Sequence, residues 1–289
     1  MSRPKILIQL DPDRHSSVFD AVVAVDSGVD QLLSYANVQP DQVRDLVHGA
    51  IFTRGPKDLH RTAIFIGGTD VAAGEQLLQR VTESFFGSLR VSVLMDASGA
   101  NTTAAAAVLA AARHVPLADA PALVLAATGP VGQRAVQLLA RERAQVRVAS
   151  RREDRAAAVC QRVMAKVPDA RLRPLAAGDP ESIRQALEGV SIVIAAGAAG
   201  IELIPADLLH QANDLRVAVD LNAVPPLGIG GVDVTAQAES HAGVLCYGAI
   251  GVGGTKMKIH KAAIAALFSA NDQVLDAEEV FKIGRGLSG

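Results

Sequence analysis

The chain has 289 residues, 49% of them hydrophobic and 20% charged, with a formal net charge of −2. That is enough apolar material for two globular domains and too much for a disordered chain. The near-neutral balance leaves no basic footprint for nucleic acid or an anionic membrane, and 3% aromatic residues leave little for base stacking.

The first apolar run, Lys5–Leu10, is too short and too soon broken by Asp11 for a signal peptide. The alanine-rich run Ala104–Ala112 stops at Arg113-His114, far short of a membrane span, so a cytoplasmic address is expected. Cys160 and Cys246 stand in separate segments without CxxC spacing and read as core fillers in a reducing compartment. The histidines form no HxxxH or HExxH group, so no metal is expected.

Taken in order, short β-branched runs alternate with helical stretches, the pattern of parallel α/β architecture. The first hundred residues predict a strand at Lys5–Leu10 and helices at Ser17–Val25 and Pro40–His48. A strand at Thr62–Ile66, a helix at Val71–Phe86 and a strand at Val91–Met95 follow. Asn101-Thr102-Thr103 then reads as the cap of the alanine-rich helix. Pro116 and Pro121 bound a linker.

Beyond it, the apolar run at Leu123 enters Thr128-Gly129-Pro130-Val131-Gly132, a small-residue turn opening a helix from Gln133 to Arg143. Such a turn lets the backbone approach a pyrophosphate whose charge sits on the helix N-terminus. Proline costs little at a first helical position, where its missing N–H has no intrahelical partner. The next strand, Gln145–Ala149, ends in Ser150-Arg151-Arg152, with Arg155 shortly after. NAD enzymes usually place an acid there to hold the ribose 2′-hydroxyl. Arginine instead pairs bidentately with a 2′-phosphate, so NADP is the expected cofactor. Glu153 and Asp154 follow closely, which keeps NAD as a weaker alternative.

A helix to about Lys166, a strand near Leu172 and a helix Asp179–Leu187 continue the alternation. Strand Val190–Ala196 runs into a second small-residue turn, where Ala196, Gly197 and Ala198 are expected to face the cofactor. Strand Leu215–Asp220 leads to Asn222, and strand Val244–Ala249 leads to a glycine turn containing Gly251 and Gly253. Asn222 and Gly253 complete the expected cofactor set, because loops at strand carboxyl ends bind ligands in doubly wound folds. Thr255-Lys256 reads as the opening of a helix through Phe268, and Asp276 with Glu279 as a capping box. The expected layout is a smaller α/β substrate domain over residues 1–115, joined by a C-terminal helix at 272–289. A Rossmann-like doubly wound parallel sheet occupies 116–271.

Seven segments carry a family resemblance: Ser17–Asp20, Ile51–Gly55, Thr62–Gly68, Asn101–Ala105, Thr128–Gly132, Asn222–Asp233 and Gly248–Lys261. In residues and order they resemble the NADP-dependent methylene-tetrahydromethanopterin dehydrogenases of bacterial one-carbon metabolism. Ala127 departs from the family's usual glycine. The resemblance implies two α/β domains with a pterin cleft, a homo-oligomer, and a tetrahydropterin carrier as partner. It implies hydride transfer from the methylene bridge to NADP, with methylene-tetrahydrofolate accepted by some members. It maps Asp20 and Lys256 onto the catalytic cleft, and Asn101, Thr102 and Thr103 onto its lining.

Lysine at a helix N-terminus costs about 0.3–1 kcal/mol, which sets a pterin-binding role for Lys256 against a solvated surface lysine. For Asp20 the alternative is a mid-helix surface carboxylate. Thr53, Arg54 and Lys57 form a basic turn, read either as a contact for an acidic tail or as a solvated loop. His260 and Lys261 read as structural. A folate dehydrogenase–cyclohydrolase is disfavoured, since Gln39 and Gly251 stand where its Tyr-x-x-x-Lys pair needs lysine. A shikimate-type dehydrogenase and a nucleotide sensor without turnover are the remaining alternatives.

Overall fold

A computed structural model describes residues 3–287. It divides into two compact units, residues 1–102 with 257–289 and residues 103–256. The divisions fall inside two helices, α4 (Ala100–Ala112) and α9 (Ala249–Ala266).

The first unit is an all-parallel sheet. Its strands are β1 (Ile6–Leu10), β2 (Gln31–Tyr35), β3 (Thr62–Ile66), β4 (Ser92–Met95) and β12 (Val274–Leu275), in the order β12-β4-β3-β1-β2. Its helices include α1 (Val18–Asp26), α2 (Val43–Phe52), α3 (Val71–Glu83) and the terminal α10 (Ala277–Gly286). Every residue of β3 and β4 is buried, as strands covered on both faces require. Edge strand β2 is mostly exposed and was not foreseen, because a run lying half in solvent has no continuous apolar signal.

The second unit holds β5 (Pro121–Leu125), β6 (Gln145–Ser150), β7 (Arg171–Ala176), β8 (Ile192–Ala195), β9 (Val217–Asp220), β10 (Gln237–His241) and β11 (Val244–Tyr247). Their order is β10-β11-β9-β8-β5-β6-β7, parallel except for β10 against β11. From β5 the chain winds outward through β6 and β7, then returns to β8 and winds the other way. This is the doubly wound Rossmann plan expected from the sequence, closed by an antiparallel strand that was not. A short helix, α8 (Ala206–Gln211), is also unforeseen. Leu123, Val193, Ala218 and Cys246 lie in the core of this second unit.

Local chemistry explains most element ends. Ser17 caps α1, its hydroxyl accepting the Asp20 N–H at 3.2 Å. The pair Asp179–Ser182 forms a capping box for α7 (Pro180–Leu187), and Glu279 accepts the Asp276 N–H at 3.3 Å as expected. Three readings are corrected. Helix α2 runs to Phe52, four residues beyond His48.

The cap of α4 is not Asn101-Thr102-Thr103, which lie inside the helix. Asp96 takes that role, its carboxylate accepting the Asn101 N–H at 2.9 Å, the Thr102 N–H at 3.1 Å and the Thr102 hydroxyl at 2.6 Å. Asp96→Ala leaves these buried donors unmet and should lower unfolding stability by about 1–3 kcal/mol, measured by urea titration; an unchanged midpoint would refute the assignment.

The third correction concerns α9, which begins at Ala249 rather than Thr255. Glycine-rich Gly248–Gly254 reads as a loop by propensity, yet close packing turns it into helix. A Cβ on Gly248 would lie 2.1 Å from the Asp233 carbonyl oxygen, and one on Gly251 1.9 Å from that of Ala236. The chain needs glycine at both positions to start the helix there. Gly251→Ala is expected to destabilise the fold by about 3 kcal/mol, at the upper end of overpacking costs, with a matching fall in Tm.

Both cysteines are free and buried. Burial pushes the Cys246 thiol up to about 11 and raises Cys160 as well. Neither should react with a thiol reagent at neutral pH until the protein unfolds, a result read directly by titration with and without denaturant.

Candidate functional site

Each unit carries a cluster at the point where its strand winding reverses, the place where open α/β sheets bind ligands. In the second unit the reversal lies between β5 and β8. The turn Thr128-Gly129 follows β5, and α5 (Pro130–Arg141) begins at Pro130, three residues earlier than expected. Gly129 is its N-cap, in extended conformation, and the Val131 and Gly132 N–H groups fall in the first turn, where no intrahelical acceptor exists. A Cβ on Gly132 would lie 2.8 Å from the Ala127 Cα, so this glycine lets helix and turn meet. A Cβ on Gly129 would meet only the Ala126 and Ala196 carbonyl oxygens, both at 3.8 Å, which leaves room above the turn for a ligand. The Ala196-Gly197-Ala198 turn after β8 therefore adjoins the Gly129 turn, as expected.

At the tip of β6, Ser150 is buried while Arg151 and Arg152 are exposed. No carboxylate ends the strand. Arg152 donates from Nε to Asp154 at 3.0 Å, an ion pair on the surface. Arg155 is exposed in the first turn of α6 (Glu153–Lys166). A Cβ on Gly178 would lie 3.6 Å from the Arg151 Cα, so the loop after β7 passes close to the arginine backbone. Helix terminus, open glycine and guanidinium pair together fit an adenine dinucleotide with a 2′-phosphate.

Two members of the expected set do other work. Asn222 is buried; its side chain donates to the Pro226 carbonyl and accepts the Val224 N–H, both at 2.9 Å. Asp220 holds the same loop, accepting N–H from Asn222 and Ile229. Burial raises its carboxyl above the usual range, and those backbone donors oppose the rise. Gly253 lies within α9 and not in a loop, and a Cβ there meets nothing within 4 Å.

In the first unit the winding reverses between β1 and β3. Asp11 follows β1 and is fully buried, accepting the Asp13 and Ser17 N–H groups at 2.9 and 3.0 Å. Burial raises its carboxyl, and these hydrogen bonds oppose the rise. Asp20 sits in the first turn of α1 with a side chain only 13% exposed, so it is not the surface carboxylate of the alternative reading. A Cβ on Gly67, after β3, would lie 3.4 Å from Asp20 Oδ2 and 3.5 Å from Asp11 Oδ2. Two carboxylates thus converge on the backbone at one strand-end crevice.

His260 is 1% exposed, stacked on Phe65 with centroids 5.7 Å apart, and its Nε2 is 3.8 Å from Asp20 Oδ1. Lys261 pairs with Asp26 at 2.9 Å. Lys256 lies one helical turn before His260, eight residues into α9, so the helix-terminal penalty expected for it does not arise. Asn101 and Thr102 are buried, and Thr103 is partly so. The Asn101 amide donates to the Met95 carbonyl at 2.7 Å and to Asp276 at 2.9 Å, tying α4 to the start of α10. Asp11, Asp96 and His260 were missed as site-forming groups. The first two stand one residue beyond the predicted strands, which was the available signal.

The fold and the β5–α5 turn define a nicotinamide-dinucleotide-binding protein of the dehydrogenase type. Residues 18–98 match the family model described as methylene-tetrahydromethanopterin dehydrogenase, N-terminal, and residues 126–271 match one described as NAD(P)H-binding. The chain is 42% identical over 286 residues to bifunctional protein MdtA of Methylorubrum extorquens, covering 98% of this chain and 99% of that one. It is 31% identical, over 98% and 99% of the two chains, to that organism's NAD(P)-dependent methylenetetrahydromethanopterin dehydrogenase. It belongs to the methylene-tetrahydromethanopterin dehydrogenase family. Among solved structures, quinate dehydrogenase from Corynebacterium glutamicum with NAD aligns at TM-score 0.56 and 13% identity, covering 99% of this chain and 100% of that one. The 5-ketofructose reductase of Gluconobacter sp. strain CHM43 aligns at 0.52 and 14%, covering 99% of each. That likeness is one of fold.

Proposed function

We propose that this protein oxidises methylene-tetrahydromethanopterin to the methenyl form with NADP. The observation that carries the reading is the α5 N-terminal turn beside a β6 tip bearing arginines where a carboxylate would select NAD. NADP, when bound, supplies the acceptor for the hydride. The bond that breaks is a C–H of the methylene bridge, and both its electrons leave with the hydrogen. The remaining cation is shared by two pterin nitrogens, so no proton need be removed, and the chain requires no general base at this step.

Positioning then supplies most of the acceleration; near-attack geometry is worth up to about 7–11 kcal/mol. The α5 N-terminus holds the pyrophosphate, and Arg151 and Arg152 hold the 2′-phosphate. Asp20, next to the crevice, offsets the developing cation. Lys256 binds a pterin carbonyl or ring nitrogen away from the bridge, where its charge does not oppose the reaction. Asn101 and Thr102 support the crevice from behind, through Asp96 and Asp276, rather than by touching the carrier.

Methylene-tetrahydrofolate as a second donor, a cytoplasmic location and assembly into a homo-oligomer belong to the same proposal. The exposed apolar residues Val18, Val22 and Val25, spaced along one side of α1, support assembly. A four-way assay crossing the two pterins with the two nucleotides tests the reading. Absorbance at the reduced-nicotinamide band should rise fastest with NADP and methylene-tetrahydromethanopterin. NADP binding without any absorbance change would identify a sensor instead.

A further inference from the structure

A groove of about 460 Å³ lies in the first unit between α2 and the face of β1 and β2. Its walls are largely apolar, formed by Ile6 and Ile8 of β1, Leu33 and Tyr35 of β2 and Leu46 of α2, with the acidic Asp45 lining it near the start of α2. Helix α2 runs antiparallel to the strands, so Thr53 and Arg54 come beside Arg3 at the amino ends of β1 and β3. Those are the opposite strand ends from Asp11 and Gly67. The volume falls in the range of small-molecule sites.

Two further observations bear on what fills it. Gly49 lines the groove in the interior of α2, where glycine is costly, yet a Cβ there would meet nothing within 4 Å. Gly49 is exposed, so a side chain placed there would stand over the groove rather than against the rest of the chain. The second observation is charge. Arg54 donates through Nη1 to the Pro4 and Arg61 carbonyls at 3.0 and 2.7 Å, which uses two of its five N–H donors. Arg3 pairs through Nε with Asp58 at 2.7 Å. Burial, with Arg3 and Arg61 nearby, presses the Arg54 guanidinium's pKa down, while Asp58 opposes this. Of the basic turn noted in the sequence, Lys57 is exposed as the solvated reading has it, while Thr53 and Arg54 line this groove, away from the strand-end site. Those two residues close one end of it.

We propose that the groove binds an amphipathic carboxylate, with its apolar part along Leu33 and Gly49 and its carboxylate against Arg3 and Arg54. An anion there relieves the crowding of guanidinium groups, and the apolar part covers surface that edge strand β2 leaves open. This site lies in the first unit, at the opposite strand ends from the Asp11–Gly67 crevice.

The test is fluorescence titration of the full chain with 8-anilinonaphthalene-1-sulfonate, displaced by decanoate or by decanol. One probe per chain is expected, with decanoate displacing it at a tenfold or greater lower concentration than decanol. Gly49→Leu should weaken probe binding at least tenfold and leave dehydrogenase turnover unchanged. Arg3→Ala, on the surface, should abolish the preference for decanoate over decanol, and it serves if Gly49→Leu does not fold. Equal displacement by both compounds, or full affinity in Gly49→Leu, overturns the proposal. So does a change of sedimentation in Gly49→Leu with probe binding intact, which would make the groove a contact between copies of this chain.

Discussion

Replacing Arg151 and Arg152 together with alanine should lower kcat/KM for NADP by about a hundred- to a thousand-fold. The value for NAD should stay within about threefold. Hydrogen bonds to charged groups contribute about 1.5–3 kcal/mol each, and each 1.4 kcal/mol is tenfold. Two such contacts to a 2′-phosphate at the weaker end of that scale, about 3–4 kcal/mol together, account for that range. Both guanidinium groups are exposed at the β6 tip, so their loss should not disturb the core. The ion pair of Arg152 with Asp154 sharpens the expectation. It is a solvent-exposed pair that holds Arg152 only weakly, and a dianionic phosphate can compete for Arg152 at little cost. Steady-state kinetics with both nucleotides decides the matter. A parallel loss with NAD and NADP would mean that the arginines support the fold and do not read the phosphate.

The second large effect is expected at Asp20. Asp20→Asn should cut kcat by about a hundred- to a thousand-fold, the cost of removing one preorganised electrostatic contact to a developing charge. Dissociation of NADP should be unchanged. The substitution keeps shape and the helix cap, because Ser17 holds α1 through the Asp20 backbone N–H and not its side chain. What it removes is a negative charge held near Gly67 and 3.8 Å from His260. A rise in KM with kcat intact would instead assign Asp20 to binding the aminopyrimidine ring. Kinetics indistinguishable from the unaltered protein would remove it from the site.

Much of this site is legible before any coordinates. The turn at Thr128–Gly132 announces itself because a strand, a small-residue turn and a helix must occur in that order for a backbone to approach a pyrophosphate. The arginines at the β6 tip are legible for the same reason, since the end of the second strand is a defined place relative to the ribose. Lys256 is different. Its place eight residues into α9 depends on Gly248 and Gly251 packing against the 233–236 turn, a contact with residues well before them in the chain. Propensity alone makes that glycine run a loop. Asn222 shows a related limit: its position after β9 was plain, yet whether its amide faces a ligand or its own loop depends on where Pro226 falls.

The chain's own order of residues determined the class of fold, the small-residue turn after β5 and the arginines at the β6 tip, because each arises from neighbours within a few positions. Only the folded molecule decided which carboxylates meet at Gly67, that Asp96 rather than Asn101 caps α4, and that His260 packs beside Asp20. The Gly67 and His260 pairings join segments tens to hundreds of residues apart, whereas the Asp96 cap spans only five and six residues. Their geometry is set by how strands stack and helices cross, quantities that local periodicity does not contain.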